Sequence, residues 1–315
     1  MRPRASLLIA AVMSASALGL AGCQAAGGPG APAGNPGPGR VLRVVASTTQ
    51  VADFARNVGG DRVQLTQLLK PNVDPHDYEA SPADVQAIAT ADLVVKNGVG
   101  LEKFLDDAIG SAGFTGTVVD TSAGVAIHPG DAQEKEGDPH IWHDPTNAKI
   151  MVRNIATAFE AKDPAGRAAY EANYAGYAAK LDALDTHIRA EIDAMPAAQR
   201  KLVTNHDAFG YYVARYGLQF VGSVIPSFDT SAELSGKDIA DLVAKIKAAG
   251  VKAIFSESSL PPKTAEAIGR EAGVTVVEGE DALYGDSLGP PGSAGATYLT
   301  MERHNTDTIV RALRG

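Results

Sequence analysis

The stretch 163-DPAGRAAYEANYAGYAAKLDALDTHIRAEIDAMP-196 decides how the chain is organised. Tyr170, Tyr174, Tyr177, Leu181, Leu184, Ile188 and Ile192 recur at steps of three and four and mark one apolar stripe of a helix. Asp163 suits the N-cap with Pro164 at the first helical position, and Pro196 sits just past the end. At 1.5 Å per residue such a helix spans about 48 Å, the reach of a whole small molecule. It reads as a stiff connector rather than as an ordinary surface helix.

On either side of it, short apolar strands alternate with helical patterns. Upstream the strands read as 42–47, 63–69, 92–97 and 116–120, with helices at 51–58, 82–89 and 101–109. Downstream they read as 202–204, 219–225, 253–256 and 274–277, with helices at 208–216, 236–249, 262–272 and 298–313. Alternation of this kind predicts parallel sheets covered by helices. The expected fold is therefore α/β: two four-stranded lobes, 41–162 and 197–315, joined by a rigid helix at 163–196.

The N-terminus reads as an export signal. Arg2 and Arg4 precede an apolar, small-residue run from Leu7 to Leu20, too short for a stable membrane span. Leu20-Ala21-Gly22-Cys23 follows, and Cys23 is the only cysteine, so no internal disulfide forms. The arrangement resembles the site at which bacterial lipoproteins are cleaved and acylated, which implies a signal at 1–22 and a lipid on Cys23. The Gly-, Ala- and Pro-rich residues that follow, up to about residue 40, cannot bury apolar surface and suit a flexible tether. Losing residues 1–22 removes two arginines and no acids, so the formal charge moves from −9 to −11. An acidic chain without basic clusters excludes nucleic acid and anionic lipid headgroups as natural partners.

Chemistry enters with the histidines. Asp-Pro-His occurs twice, at Asp74-Pro75-His76 and Asp138-Pro139-His140, and His206 follows an apolar strand. In parallel α/β sheets, ligands bind beyond the carboxyl ends of the strands, and each of these residues leaves such an end. Proline before His76 and His140 stiffens the backbone there. Histidines delivered in this way to one point form a transition-metal site. A fourth, carboxylate ligand is expected from the second lobe, with Glu257, Glu278, Glu280, Asp281 and Asp286 as candidates.

Four ordered motifs then resemble the zinc/manganese ABC-transporter solute-binding lipoproteins. Three are Pro75-His76-Asp77-Tyr78-Glu79, Asp138 through Pro145, and Asn205-His206-Asp207-Ala208-Phe209-Gly210-Tyr211. The fourth is Tyr284-Gly285-Asp286-Ser287-Leu288-Gly289 with Tyr298-Leu299-Thr300-Met301. The resemblance covers the chain from about residue 40 to its end. It implies His76, His140, His206 and Asp286 as ligands, two lobes around a rigid helix, and an ABC permease as partner. The implied protein is a monomer held by lipid on the extracytoplasmic face of the cell membrane.

Manganese members often carry glutamate where His206 stands, and three imidazoles with one carboxylate suit Zn2+ better than Mn2+. Many zinc members carry a histidine-rich acidic loop before the second motif; here 128–137 is acidic with one histidine. Capture of Zn2+ for import is the leading reading, and a manganese receptor is the alternative. A secreted zinc hydrolase is more remote, since the chain offers no His-Glu-x-x-His and no nucleophile elbow. The residues say nothing about a second role in cell adhesion. Among the neighbours, His143 is expected outside the ligand set and His128 in solvent, while His187 and His304 are expected on the surface or in packing. Glu79 and Asp207 are candidates to orient the adjacent histidines, Trp142 is expected beside the site, and 285–295 is read as either a closing segment or a static loop.

Overall fold

The computed structural model describes residues 41–130 and 134–314. The export signal, the tether and Cys23 lie outside the described residues.

The first sheet comprises β1 (Leu42–Ala46), β2 (Val63–Gln67), β3 (Leu93–Lys96) and β4 (Thr117–Asp120). All its pairings are parallel and the strand order is β2-β1-β3-β4. α1 (Thr49–Gly59), α2 (Pro82–Thr90), α3 (Leu105–Ala112) and α4 (Pro145–Lys162) complete this half. The central strands are short runs of Val and Leu because parallel strands are covered on both faces.

Following the long helix α5 (Arg167–Asp193), the second half repeats the plan. β5 (Lys201–His206), β6 (Gln219–Ile225), β7 (Ala253–Phe255) and β8 (Thr275–Val277) pair in parallel in the order β6-β5-β7-β8. α6 (Gly210–Tyr216), α7 (Gly236–Ala249), α8 (Lys263–Ala272) and α9 (Tyr298–Arg314) accompany it. In both sheets the chain reverses direction across the sheet at the first strand, β1 or β5. That crossing point is where open α/β sheets bind ligands.

Helix starts follow local chemistry. Ser81 and Asp84 form a reciprocal capping box with Pro82 at the first helical position, and Ser235 with Asp238 repeats the box. Asp144 caps α4 ahead of Pro145, which takes the first helical position.

Asp163 does not cap the connector. Its carboxylate accepts from Arg62, 2.7 Å away, and from the Tyr170 hydroxyl at 2.9 Å. A charge-assisted pair outcompetes a capping bond. The chain therefore makes a 3-10 turn over Pro164–Gly166, and α5 proper has 27 residues, about 40 Å rather than 48. Six of the seven stripe residues are buried; Tyr174 is half-buried and lies under the Arg153 guanidinium.

α5 is also not a bare strut. It packs along α1, α4, α6 and α9, and one continuous apolar core reaches from the first sheet through this helix to the second. Smaller cores lie in each half, around Leu68 and Ile88 in one and around Ile246 and Ile254 in the other.

Candidate metal centre

His76 leaves the β2–α2 connection, His140 the β4–α4 connection, and Asp286 the segment after β8. His206 departs from the loop expectation, because it is the last residue of β5 itself. It stands at the crossing point of the second sheet, where strand geometry rather than a loop aims its ring. All four residues are buried, and one ligand atom from each lies within 4.8 Å of the others.

The distances are specific. His140 Nε2 is 3.2 Å from Asp286 Oδ1, and His206 Nε2 is 3.2 Å from Asp286 Oδ2. The two Nε2 atoms are 3.3 Å apart, and His76 Nε2 is 3.6 Å from Asp286 Oδ2. Ligands at 2.0–2.1 Å from a tetrahedral ion are separated by about 3.3–3.4 Å along each edge. The shortest contacts match that edge, within a cluster whose four ligand atoms spread over no more than 4.8 Å.

Partners behind the rings decide which nitrogens face inward. Asp138 Oδ1 accepts from His140 Nδ1 at 2.7 Å and Glu257 Oε1 from His206 Nδ1 at 2.8 Å. With Nδ1–H committed to a carboxylate, each ring points a bare Nε2 lone pair at the common centre and gains basicity. Among the described residues, His76 Nε2 and both Asp286 oxygens find no hydrogen-bond partner. Buried acceptors facing one another need a cation between them. The donor set fits a borderline-soft divalent metal.

In the absence of metal, the same carboxylates favour charge on the imidazoles. Burial works against a charge on His140, but its hydrogen bond to Asp138 and the close Asp286 carboxylate outweigh it and lift the imidazole to about 9. His206 is raised in the same way: burial is overcome by the charges of Asp286 and Glu257. Burial opposes ionisation of Asp286, yet the charge of His206 and contacts with all three imidazoles hold it well below the usual carboxylate range.

The other carboxylate candidates separate cleanly. Glu278, Glu280 and Asp281 are exposed, and Asp281 pairs with Arg311. Glu257 is in the site but behind His206, where its Oε1 also accepts the His206 backbone N–H at 3.0 Å. Gly285 allows this approach, since a Cβ there would collide with the Glu257 carboxylate. The role of Glu257 was legible only as membership of the candidate list; that of Asp138 was hidden in the repeated tripeptide.

Glu79 is exposed. Asp207 does not serve the His206 ring, which Glu257 holds, and burial with nearby Asp138 pushes its own carboxyl up to about 6. His143 is buried away from the cluster, bonded to Glu302 at 2.8 Å and stacked on Phe209. His128 is half-buried rather than in solvent, because it stacks on the Tyr211 ring at 3.9 Å. His187 is half-buried on α5, and His304 meets the Ala282 carbonyl at 3.0 Å. Trp142 lies edge-on to His140, and its indole N–H donates to the Gly285 carbonyl beside Asp286.

The segment 285–295 starts as a packed, tied loop rather than as a free lid. The Leu288 N–H donates to Thr49 Oγ1 at 2.8 Å, and its carbonyl accepts from Asn72, an αL residue, at 3.2 Å. Gly289 and Gly295 bond to each other across the turn and leave no room for a Cβ beside Tyr284.

Two parallel α/β lobes around a buried three-histidine, one-carboxylate cluster define a metal-capturing solute-binding protein. The family model described as zinc-uptake complex component A, periplasmic (ZnuA), matches residues 44–312, and the chain belongs to that family. It is 34% identical to the zinc-binding protein TroA of Treponema pallidum, over 86% of this chain and 88% of that protein. It is 35% identical to the manganese-binding lipoprotein MntA of Bacillus subtilis, over 87% and 90%. The solved TroA structure superposes with a TM-score of 0.81, covering 87% of this chain and 99% of that one. An Mn-bound periplasmic metal-binding protein from Candidatus Liberibacter asiaticus gives 0.77 at 27% identity, over 86% and 99%. The chain is thus a metal-binding solute receptor of the ABC-transporter type.

Proposed function

We propose that the protein captures Zn2+ outside the cytoplasm and presents it to an ABC permease, with His76, His140, His206 and Asp286 as the four ligands. One observation carries this reading: three buried imidazole nitrogens and the Asp286 carboxylate face one another, with four contacts among them of 3.2–3.6 Å. Three imidazoles and one carboxylate at that spacing suit zinc, whereas manganese prefers an oxygen-richer, more open shell. Manganese is the second reading, favoured by the names of relatives such as MntA.

In this reading Asp286 fills the position that a hydrolytic zinc site would leave to water, so the protein is a receptor and not an enzyme. Lobes at 41–162 and 197–315, joined at 163–196, each supply two ligands. Names of relatives as lipoproteins support acylation of Cys23 and a receptor tethered on the outer face of the membrane, and this reading takes the receptor to be a monomer. The test is metal-stripped protein lacking residues 1–23, titrated with Zn2+ and Mn2+ in competition. One tight zinc site that a large excess of manganese leaves filled is the expected result. Preferential manganese retention reverses the choice of metal, and binding of neither overturns the ligand set.

A further inference from the structure

One loop of the second half reaches across the cleft. Residues 226–229 and 231–232, between β6 and α7, wall a cavity of about 630 Å3 together with His76, Lys103 and Glu134. Three segments of the first half hold this loop. Glu134 Oε1 accepts from Ser227 Oγ at 2.6 Å, Phe228 N–H at 2.7 Å and Asp229 N–H at 3.3 Å. Lys103, just ahead of α3, pairs with Asp229. Thr230 Oγ1 donates to Asp74 Oδ2 at 2.6 Å.

The third contact reaches the metal centre. Asp74 uses its other oxygen, Oδ1, to accept the His76 backbone N–H at 2.9 Å. One carboxylate therefore connects a hydroxyl of one half to a ligand's backbone in the other. His76 needs such support, because it is the most exposed of the four cluster residues, at 8%. Val99, which also lines the cavity, sits at φ 53°, a strained conformation for a β-branched residue. Its neighbours Asn97 and Gly98 donate their N–H groups to Glu102. The cavity is thus lined both by a braced segment and by a tied loop.

We propose that Thr230 is a positioning residue for His76. Acting through Asp74, it holds His76 in the closed cluster, so the rate of metal release is set by the 227–230 loop letting go. This rests on the four-ligand reading above, and it names His76 as the first ligand to leave.

The experiment measures zinc release from the loaded protein into excess chelator by stopped flow, for wild type, Thr230→Val and Thr230→Ser. Loss of one hydrogen bond to a charged group predicts release about tenfold faster in Thr230→Val. Thr230→Ser, which keeps the hydroxyl, is expected to restore the slow rate, which a merely structural role for the side chain would not require. Glu134→Gln loosens the same loop from its other end and is expected to accelerate release too. It carries the test should Thr230→Val fold poorly. Wild-type release rates in Thr230→Val and Glu134→Gln, with one zinc still bound per chain, overturn the positioning role alone. Absence of zinc binding by the wild type overturns the four-ligand reading and this role with it.

Discussion

The two Asp-Pro-His tripeptides make the same turn and different sites. In each, the aspartate Oδ1 accepts the histidine backbone N–H two residues on, at 2.9 Å in both cases. At Asp138 the same oxygen also grips the His140 ring, whereas at Asp74 the second oxygen turns away across the cleft to Thr230. His140 is consequently a fully buried, doubly held ligand candidate, and His76 is held through its backbone at the edge of the cavity. Identical local sequence sets the turn; what packs against it decides whether the aspartate grips the histidine ring or only its backbone.

The sharpest way to break this comparison is to delete the anchored ring. His140→Ala is expected to lower zinc affinity by more than about a hundredfold, beyond the cost of losing an outer partner, with the fold kept. Isothermal titration with circular dichroism checks both, and retained tight binding would end the metal-centre reading.

Next come the two aspartates. Asp138→Ala is expected to lower affinity by about a hundredfold and Asp74→Ala by about tenfold, since both lose the same turn bond and only the first releases a ring. Equal losses would mean that the ring contact contributes nothing. Glu257→Gln, which keeps the shape behind His206 but removes the charge, belongs at about tenfold. An unchanged affinity would reduce Glu257 to packing.

pH sharpens the contrast further. His140 is lifted above its ordinary 6.5 to about 9 in the metal-free protein, so under the four-ligand reading zinc is expected to displace a proton from it at neutral pH. Affinity is expected to rise by about tenfold per pH unit for each displaced proton between pH 6 and 8. Calorimetry in buffers of different ionisation enthalpy counts those protons, and a count of zero contradicts the protonated cluster. The linkage to folding has the opposite slope. A raised pKa means that protonated His140 stabilises the metal-free fold fully below about 6.5, and that this is lost as pH climbs through about 9. The metal-free melting temperature should fall over that window while the zinc-loaded one does not follow it. This is the smallest effect of the set, and Asp138→Ala should flatten it.

Much of the architecture was readable in one dimension. Strand–helix alternation gives two parallel sheets because period-2 and period-3.6 patterns are local properties. The stripe on α5 likewise announced which face is buried. The cap at Asp163 was misplaced because its competitor, Arg62, lies about a hundred residues away. His206 looked like a loop residue because a strand's last position carries no local mark. The histidine candidates were legible through repeated motifs; among the acids, residue type alone gave Glu257 and Asp286 equal standing, and only the family resemblance singled out Asp286.

By itself, then, the chain's order of residues determined the α/β plan, the two turns that present His76 and His140, and the short list of acids. Periodicity and turn chemistry act over a few residues, so they survive without knowledge of the fold. Only the tertiary structure decided that Asp286 faces the three imidazoles while Glu257 stands behind one of them. It also decided that Asp74 looks to Thr230 across the cleft. Those choices depend on distances between segments far apart in the chain, and close packing of the two halves sets such distances.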